Sequence, residues 1–375
     1  GGISSTSGQQ TPLFETYSDW DREIKRTGAS EWRVCSVNEG YMISTCLPEY
    51  FVVPSSLADQ DLKLYSHSFI GRRMPLWSWN HPNGSALVRM ANIKDVLQQR
   101  RIDQRICNAI TRSHPLRSDV YKSDLDKCLP NIQEIQAAHI KLKQLCVNEP
   151  FEETEEKWLS SLENTRWLEY IRSFLKHSAE LVYMMECKHV SVVLQEEEGR
   201  DLSCLAASLV QVMLDPYFRT IVGFQSLIQK EWVMAGYQFL DRCNHLKRSD
   251  KEVRVTLSDS STVLNIYSQK KARVKIEQEF LPRRNSLILK LKPDFLQQTE
   301  SQSNSMEQYF RDWFAKPVDL HGVILPHLSG TQIKLWKLCY FRWVPEAQIN
   351  HGGFIAAFHK VSLLADEVDM LNRNL

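Results

Sequence analysis

No Cys-x-x-Cys pair occurs anywhere in these 375 residues, although nine cysteines are present. That spacing marks zinc knuckles and thioredoxin-type redox centres, so its absence argues against both. The histidines include no His-x-x-x-His or His-Glu-x-x-His pair, so neither a metal centre nor a cofactor is expected. An excess of one charge is also missing. The 46 basic side chains meet 45 acidic ones for a formal net charge of +1, which excludes a strongly basic nucleic-acid binder. No apolar run approaches the ~18 residues of a membrane span. The chain opens on Gly1-Gly2 without a basic then apolar leader, so no secretory signal is expected. An odd number of scattered cysteines suits reduced, mostly packed thiols in a cytosolic protein.

What is present is an ordinary globular composition, 43% hydrophobic and 24% charged, on a chain long enough to bury a sizeable core. Residues 1–12 are rich in Gly, Ser, Thr and Gln and read as a flexible lead. A helix is expected over 14–26, carrying Trp20 and Ile24. Strand-like runs follow at 32–37, 41–46 and 50–53, with a hairpin turn at Asn38-Glu39-Gly40 between the first two. A helix over 57–65 precedes two further strands, 75–79 and 85–90, joined by the turn His81-Pro82-Asn83-Gly84. Ile132, Ile135, Ala138, Leu142 and Leu145 fall on one stripe of a helix over 131–147. One long helix is expected from about 155 to 185, with Trp158, Leu162, Leu168, Ile171, Leu175 and Val182 on its apolar positions. The β-branched run 189–194 suits a buried strand of a parallel or mixed sheet. A loop over 195–199 leads to a helix at 201–214, and another helix spans 218 to about 242.

The composition changes after Lys247. Residues 251–308 read as a basic polar linker, and 309–375 as an aromatic-rich segment ending in a helix. Together they form a C-terminal region expected to be partly disordered. The principal domain is then 13–250.

A strand that hands a tight loop to a helix N-terminus is a common way to build an anion site, because free backbone N–H groups and the helix dipole both favour negative charge. Cysteine-dependent phosphatases use this geometry, with a thiolate at the strand end and an arginine six residues later gripping the phosphate. The residues six beyond each cysteine are Tyr41, Val52, Ser113, Glu134, Glu152, Val193, Val210, Ser249 and Pro345. None is arginine, so no cysteine here starts such a signature.

Three blocks carry a family resemblance: EEKWLSSLENTRWLEYIRSFL from Glu155, VSVVLQEEEGRDLS from Val190, and MLDPYFRTIVGFQSLIQKEWVMAGYQF from Met213. They resemble the myotubularin-related phosphoinositide 3-phosphatases. Upstream, EWRVCSVNEGYMISTCLPEYFVVP and GRRMPLWSWNHPNGSALVRM fit the same family in order and spacing, so the similarity covers residues 32–250. It implies an α/β, cysteine-phosphatase-like domain with a mixed sheet flanked by helices.

Active members carry His-Cys-Ser-Asp-Gly-Trp-Asp-Arg-Thr after the strand. Counting back from Leu214-Asp215 places the family histidine on Gln195 and the nucleophilic cysteine on Glu196. The serine and aspartate fall on Glu197 and Glu198. Gly199 is kept, the tryptophan becomes Arg200, Asp201 is kept, the phosphate-gripping arginine becomes Leu202, and the threonine becomes Ser203. A carboxylate cannot replace a low-pKa thiolate, and Leu202 offers no donor. The three glutamates are expected to place negative charge where a dianion should dock, at roughly 4 kcal/mol per unit charge at ~4 Å and an effective dielectric near 20. Arg200 could offset one of them.

The resemblance therefore implies a pseudophosphatase of the adaptor subgroup, cytoplasmic or peripheral at membranes. Its implied partner is an active myotubularin-related phosphatase, with weak contact to phosphoinositide membrane and no contact with nucleic acid. Two alternatives stay open: a weakly active or altered phosphatase using Glu196 or Asp201, and a poorly folded splice fragment. Asp201 is either a remnant acid or a helix N-terminal carboxylate. Cys204, inside the following helix, reads as a packed thiol.

The family's N-terminal lipid-binding domain is missing from these residues. Past Asp250 the segment EVRVTLSDSSTVLNIYSQKKARVKIEQEF does not align, whereas LPRRNSLILKLKPDF onward resembles the adaptor tail, as though a piece between were missing. Arg72-Arg73 reads as a solvated turn pair or a lipid contact. Lys270, Lys271, Arg273 and Lys275 form a basic cluster, and Arg283-Arg284-Asn285-Ser286 resembles a basophilic kinase site. Val361, Leu364, Val368, Leu371 and Leu375 follow a 3-4-3-4 seam, which suits either docking on the chain's own core or a partner helix.

Overall fold

The computed structural model describes residues 11–147, 155–239, 242, 322–326, 328, 333 and 335. The linker, the basic cluster, the kinase-like site and the helix bearing Val361, Leu364, Val368, Leu371 and Leu375 lie outside the described residues.

Helix α1 (Tyr17–Thr27) forms as expected. The Thr16 hydroxyl accepts from the Asp19 N–H at its start, and Gly28, at φ 72°, closes it by donating to the Ile24 and Lys25 carbonyls. Its buried face is Trp20, Glu23 and Ile24. Strand β1 (Trp32–Cys35) pairs antiparallel with β2 (Phe51–Pro54). The expected strand at 41–46 does not form. The side chain of buried Asn38 accepts from the N–H groups of Ile43 and Ser44 and donates to the carbonyls of Ser44, Leu47 and Pro48. One amide thus satisfies backbone groups that a ladder would otherwise serve, and the segment stays a loop.

After α2 (Asp59–Ser66) comes a mixed four-stranded sheet of order β3-β4-β6-β5. Strand β3 (Leu76–Asn80) runs antiparallel to β4 (Ala86–Ala91), while β6 (Val192–Glu196) lies parallel between β4 and β5 (Tyr121–Asp124). Strand β6 sits a few residues later than the 189–194 run. His189 has φ 52° and cannot belong to extended chain. The segment 91–130, outside the expected strands and helices, holds α3 (Val96–Ser113), β5 and the short α4 (Leu125–Cys128).

Helix α5 (Ile132–Val147) buries Ile135, Ala138 and Leu142 as its stripe predicts. The single helix expected over 155–185 is two, α6 (Glu155–Asn164) and α7 (Trp167–Glu186). Arg166 between them is left-handed at φ 63°, and the Thr165 hydroxyl donates to Leu162 O while accepting from Trp167 N. Helix α8 (Leu202–Leu214) follows β6. Beyond it the expected helix over 218–242 is a 3₁₀ turn, α9 (Ile221–Ile228) and a π-helical turn, Gln229–Met234.

Two large apolar clusters flank the sheet. One gathers Trp77, Val88 and Met90 with β1, β2 and α3; the other gathers Leu87, Val192 and Leu194 with α5, α7 and α8. The aromatic-rich C-terminal segment is not wholly separate from this body. Ile324 N–H donates to Met213 O at 2.9 Å, and Val323, Leu325 and Leu328 are buried in the second cluster.

Candidate functional site: a strand-to-helix cradle filled by Glu196

Strand β6 ends at Glu196, registered beside Ala91 of β4, and the chain turns through 197–201 into α8. Gly199 makes the turn with φ 69°. A Cβ there would sit 3.1 Å from Ala91 N and 3.2 Å from the Met90 carbonyl carbon, so this crossing of the β4 end takes only glycine without strain.

The first turn of α8 exposes backbone donors that need an acceptor. Glu196 supplies it. Oε1 accepts from Asp201 N at 2.9 Å, Ser203 N at 2.9 Å and Ser203 Oγ at 2.8 Å, while Oε2 accepts from Leu202 N at 2.9 Å. All four donors are engaged by one carboxyl group that is 5% exposed. Burial pushes this carboxyl above its ordinary range, against the opposing pull of the Ser203 and Asp201 donors.

Glu197 and Glu198 do not share the cradle. Both are exposed; Glu197 N–H donates to Asp126 Oδ2, and Glu198 Oε2 accepts from Gln238. The expected wall of three negative charges is thus a single one, because only Glu196 belongs to the strand end. Gln195, half-buried, is the penultimate residue of β6.

Among the described residues Arg200 pairs with no carboxylate; its Nε donates to Gly236 O at 2.8 Å. Asp201 occupies the N-cap position of α8 without making the cap bond. Its carboxylate is paired with Arg242 at 2.7 and 3.0 Å and accepts from Gln238 at 3.4 Å. Leu202 is 2% exposed and packs into the core. Cys204 is fully buried beneath the loop. Burial pushes its thiol up to about 11, although neighbouring Arg89 pulls the other way.

The arginines of this site escaped the sequence reading. Arg73 was expected to be solvated or to touch lipid. It is 2% exposed and donates to the carbonyls of Cys46, Gly199 and Ala235. Burial lowers its pKa, and among the described residues it has no carboxylate partner. Arg89, 1% exposed, donates to Ser203 Oγ at 3.0 and 3.2 Å, to Gly199 O at 3.3 Å and to Cys204 Sγ at 3.0 Å. Its Nη1 reaches Glu231 Oε2 at 3.0 Å. Burial works against the Arg89 charge, but Cys204, Glu231 and Glu196 together raise its pKa. A signal for Arg89 existed: a lone cation inside the apolar run Ser85–Met90 must be buried and therefore partnered. Beneath it, Glu231 accepts from Gln211 and Ser78, and buried Lys230 donates to Gln211 Oε1 and Ser78 O. Among the described residues no cluster of His, Cys, Asp and Glu is placed to hold a metal ion.

A family model described as Myotubularin-like phosphatase domain matches residues 4–127 and 116–309. The chain belongs to the myotubularin-related family. A second model, described as Myotubularin-associated protein, matches residues 247–375 of this myotubularin-related chain. Myotubularin-related protein 10 of Homo sapiens is 62% identical over 98% of the chain and 62% of its own length. The Danio rerio protein of that name is 48% identical over 100% of the chain and 64% of its own length. Myotubularin-related protein 12 of Mus musculus is 33% identical over 100% of the chain and 65% of its own length. The chain thus spans a little under two thirds of these relatives. The human match extends over 483 aligned positions, more than the chain's 375 residues, so that relative carries residues this chain lacks within the matched region.

Proposed function

We propose that this myotubularin-related chain is catalytically inactive and serves as an adaptor or regulatory subunit for an active relative. One observation carries the loss of chemistry: the cradle is filled by the chain's own Glu196 carboxylate, hydrogen-bonded to four donors. A phosphate ester seated there would have to displace it or meet its charge at roughly 4 kcal/mol for ~4 Å at an effective dielectric near 20. Glu196 is no thiolate, and Leu202, six residues on, is core. The thiol of Cys204 is buried, protonated at neutral pH and tied to Arg89 and to Arg200 O. The alternative of residual activity through Asp201 is disfavoured by its pairing with Arg242, whose guanidinium occupies both carboxylate oxygens.

The adaptor role is supported by the second family model, whose printed description is Myotubularin-associated protein. This reading places the chain in the cytoplasm, in weak peripheral contact with phosphoinositide membrane where its partner works. No helix among the described residues is long and apolar enough to cross a membrane.

Two measurements test the proposal. Purified chain with a 3-phosphorylated inositol lipid should release no phosphate above the blank; turnover abolished by Glu196→Ala would refute inactivity. Mixed with a purified active myotubularin-related phosphatase, the chain should co-elute on size exclusion; independent elution at micromolar concentrations would refute the adaptor role.

A further inference from the structure

The Glu196 contacts have the form of ligand binding rather than of ordinary packing. Three consecutive backbone N–H groups and one hydroxyl converge on two oxygens at 2.8–2.9 Å, the length of charge-assisted bonds. The hydroxyl belongs to Ser203, which accepts in turn from Arg89, so a guanidinium stands behind the carboxylate. Arg73 and Arg89 both donate to Gly199 O, bringing a second buried cation to the same loop. The Nε of Arg73 is itself buried, with no hydrogen-bond partner among the described residues. Such a concentration of donors and buried positive charge around a helix N-terminus favours an anion at this turn.

We propose that Glu196 is a permanent internal ligand: its carboxylate takes the place of a bound oxyanion and holds residues 197–203 in an anion-bound conformation, and removing it uncovers a binding site for a tetrahedral oxyanion. The loop surface is then independent of phosphate in the surroundings. This inference rests on the cradle's geometry and stands or falls separately from the adaptor reading, since it needs neither a partner nor an assay of turnover.

The test uses the full chain at pH 8, melted in chloride and in inorganic phosphate at matched ionic strength, with phosphate binding followed by calorimetry. Wild type should melt at the same temperature in both salts and bind no phosphate. Glu196→Ala should melt roughly 5 °C lower in chloride, recover about half of that loss or more in phosphate, and bind phosphate with 1:1 stoichiometry. Glu197→Ala and Glu198→Ala should behave as wild type. Equal phosphate responses in wild type and Glu196→Ala, or a Glu196→Ala melt unchanged in chloride, would overturn the proposal. If Glu196→Ala does not fold in either salt, Glu196→Gln decides. Its amide keeps the shape of the side chain but turns an NH₂ toward the Leu202 or Ser203 donors, so hydrogen exchange at those amides should quicken at least about tenfold. Exchange equal to wild type would overturn the internal-ligand role.

Discussion

Arg73 donates an Nη2 hydrogen bond to the carbonyl of Gly199 at 2.9 Å, across 126 residues of sequence. The same guanidinium reaches Cys46 O and Ala235 O. It ties together the β1–β2 loop, the 197–201 turn and the end of the π-helical segment. A planar fork of donors suits three carbonyls in a way that a point charge does not.

Replacing Arg73 should therefore be costly although it makes no ion pair among the described residues. Arg73→Met leaves buried carbonyls without donors and is expected to lower stability by about 3 kcal/mol. Arg73→Lys should restore only part of that, because one ammonium cannot serve all three acceptors. Urea denaturation compares them; a Lys variant equal to wild type would mean that charge alone matters.

The Arg89–Glu231 pair is 3.0 Å long, with side chains 1% and 2% exposed. Arg89→Met or Glu231→Leu alone strands a buried charge and is expected to cost about 3–5 kcal/mol. The double variant should cost less than the sum of the two, by about 1–3 kcal/mol. A denaturant double-mutant cycle measures this; additive losses would show that the two side chains act through different neighbours.

His114 gives a pH prediction. Its Nδ1 accepts from Leu116 N at 3.0 Å and its Nε2 meets Ser85 Oγ at 3.1 Å, which fixes the neutral ring with the proton on Nε2. Burial, with His189 nearby, lowers its pKa below the ordinary 6.5. The unfolded chain then binds more protons in this window, so stability rises with pH there. The contribution is complete above the ordinary value and is lost as pH falls through the lowered one. Melting curves from pH 7.5 to pH 5 should fall less steeply for His114→Gln than for wild type.

Gly199→Ala should cost about 1–2 kcal/mol, because it combines a left-handed φ with a methyl pressed on the Ala91 and Met90 backbone. The readout is a lower melting temperature together with faster hydrogen exchange over 197–203. An unchanged melt would place the strain elsewhere.

Much of the sheet and its flanking helices was legible because β-branched runs and 3.6-residue stripes are local signals. Phe51–Pro54, Leu76–Asn80 and Ala86–Ala91 all lie where alternation or continuous apolarity placed them. The failures are non-local. The run at 41–46 has the composition of a strand, but the Asn38 amide outcompetes a ladder. Arg73 sits beside exposed Arg72 in a tight turn, and nothing nearby in sequence announces acceptors 126 and 162 residues away. For the cradle, a gapless count reached Glu196 and Leu202. Composition could not say that one glutamate of three turns inward, since that depends on where β6 ends.

Helix α8 has two ends with different attachments. Its first turn holds Glu196, and Met213 in its last turn accepts the hydrogen bond from Ile324. Between them runs one largely buried helix, so the turn that grips the carboxylate and the chain at Ile324 are anchored on the same element.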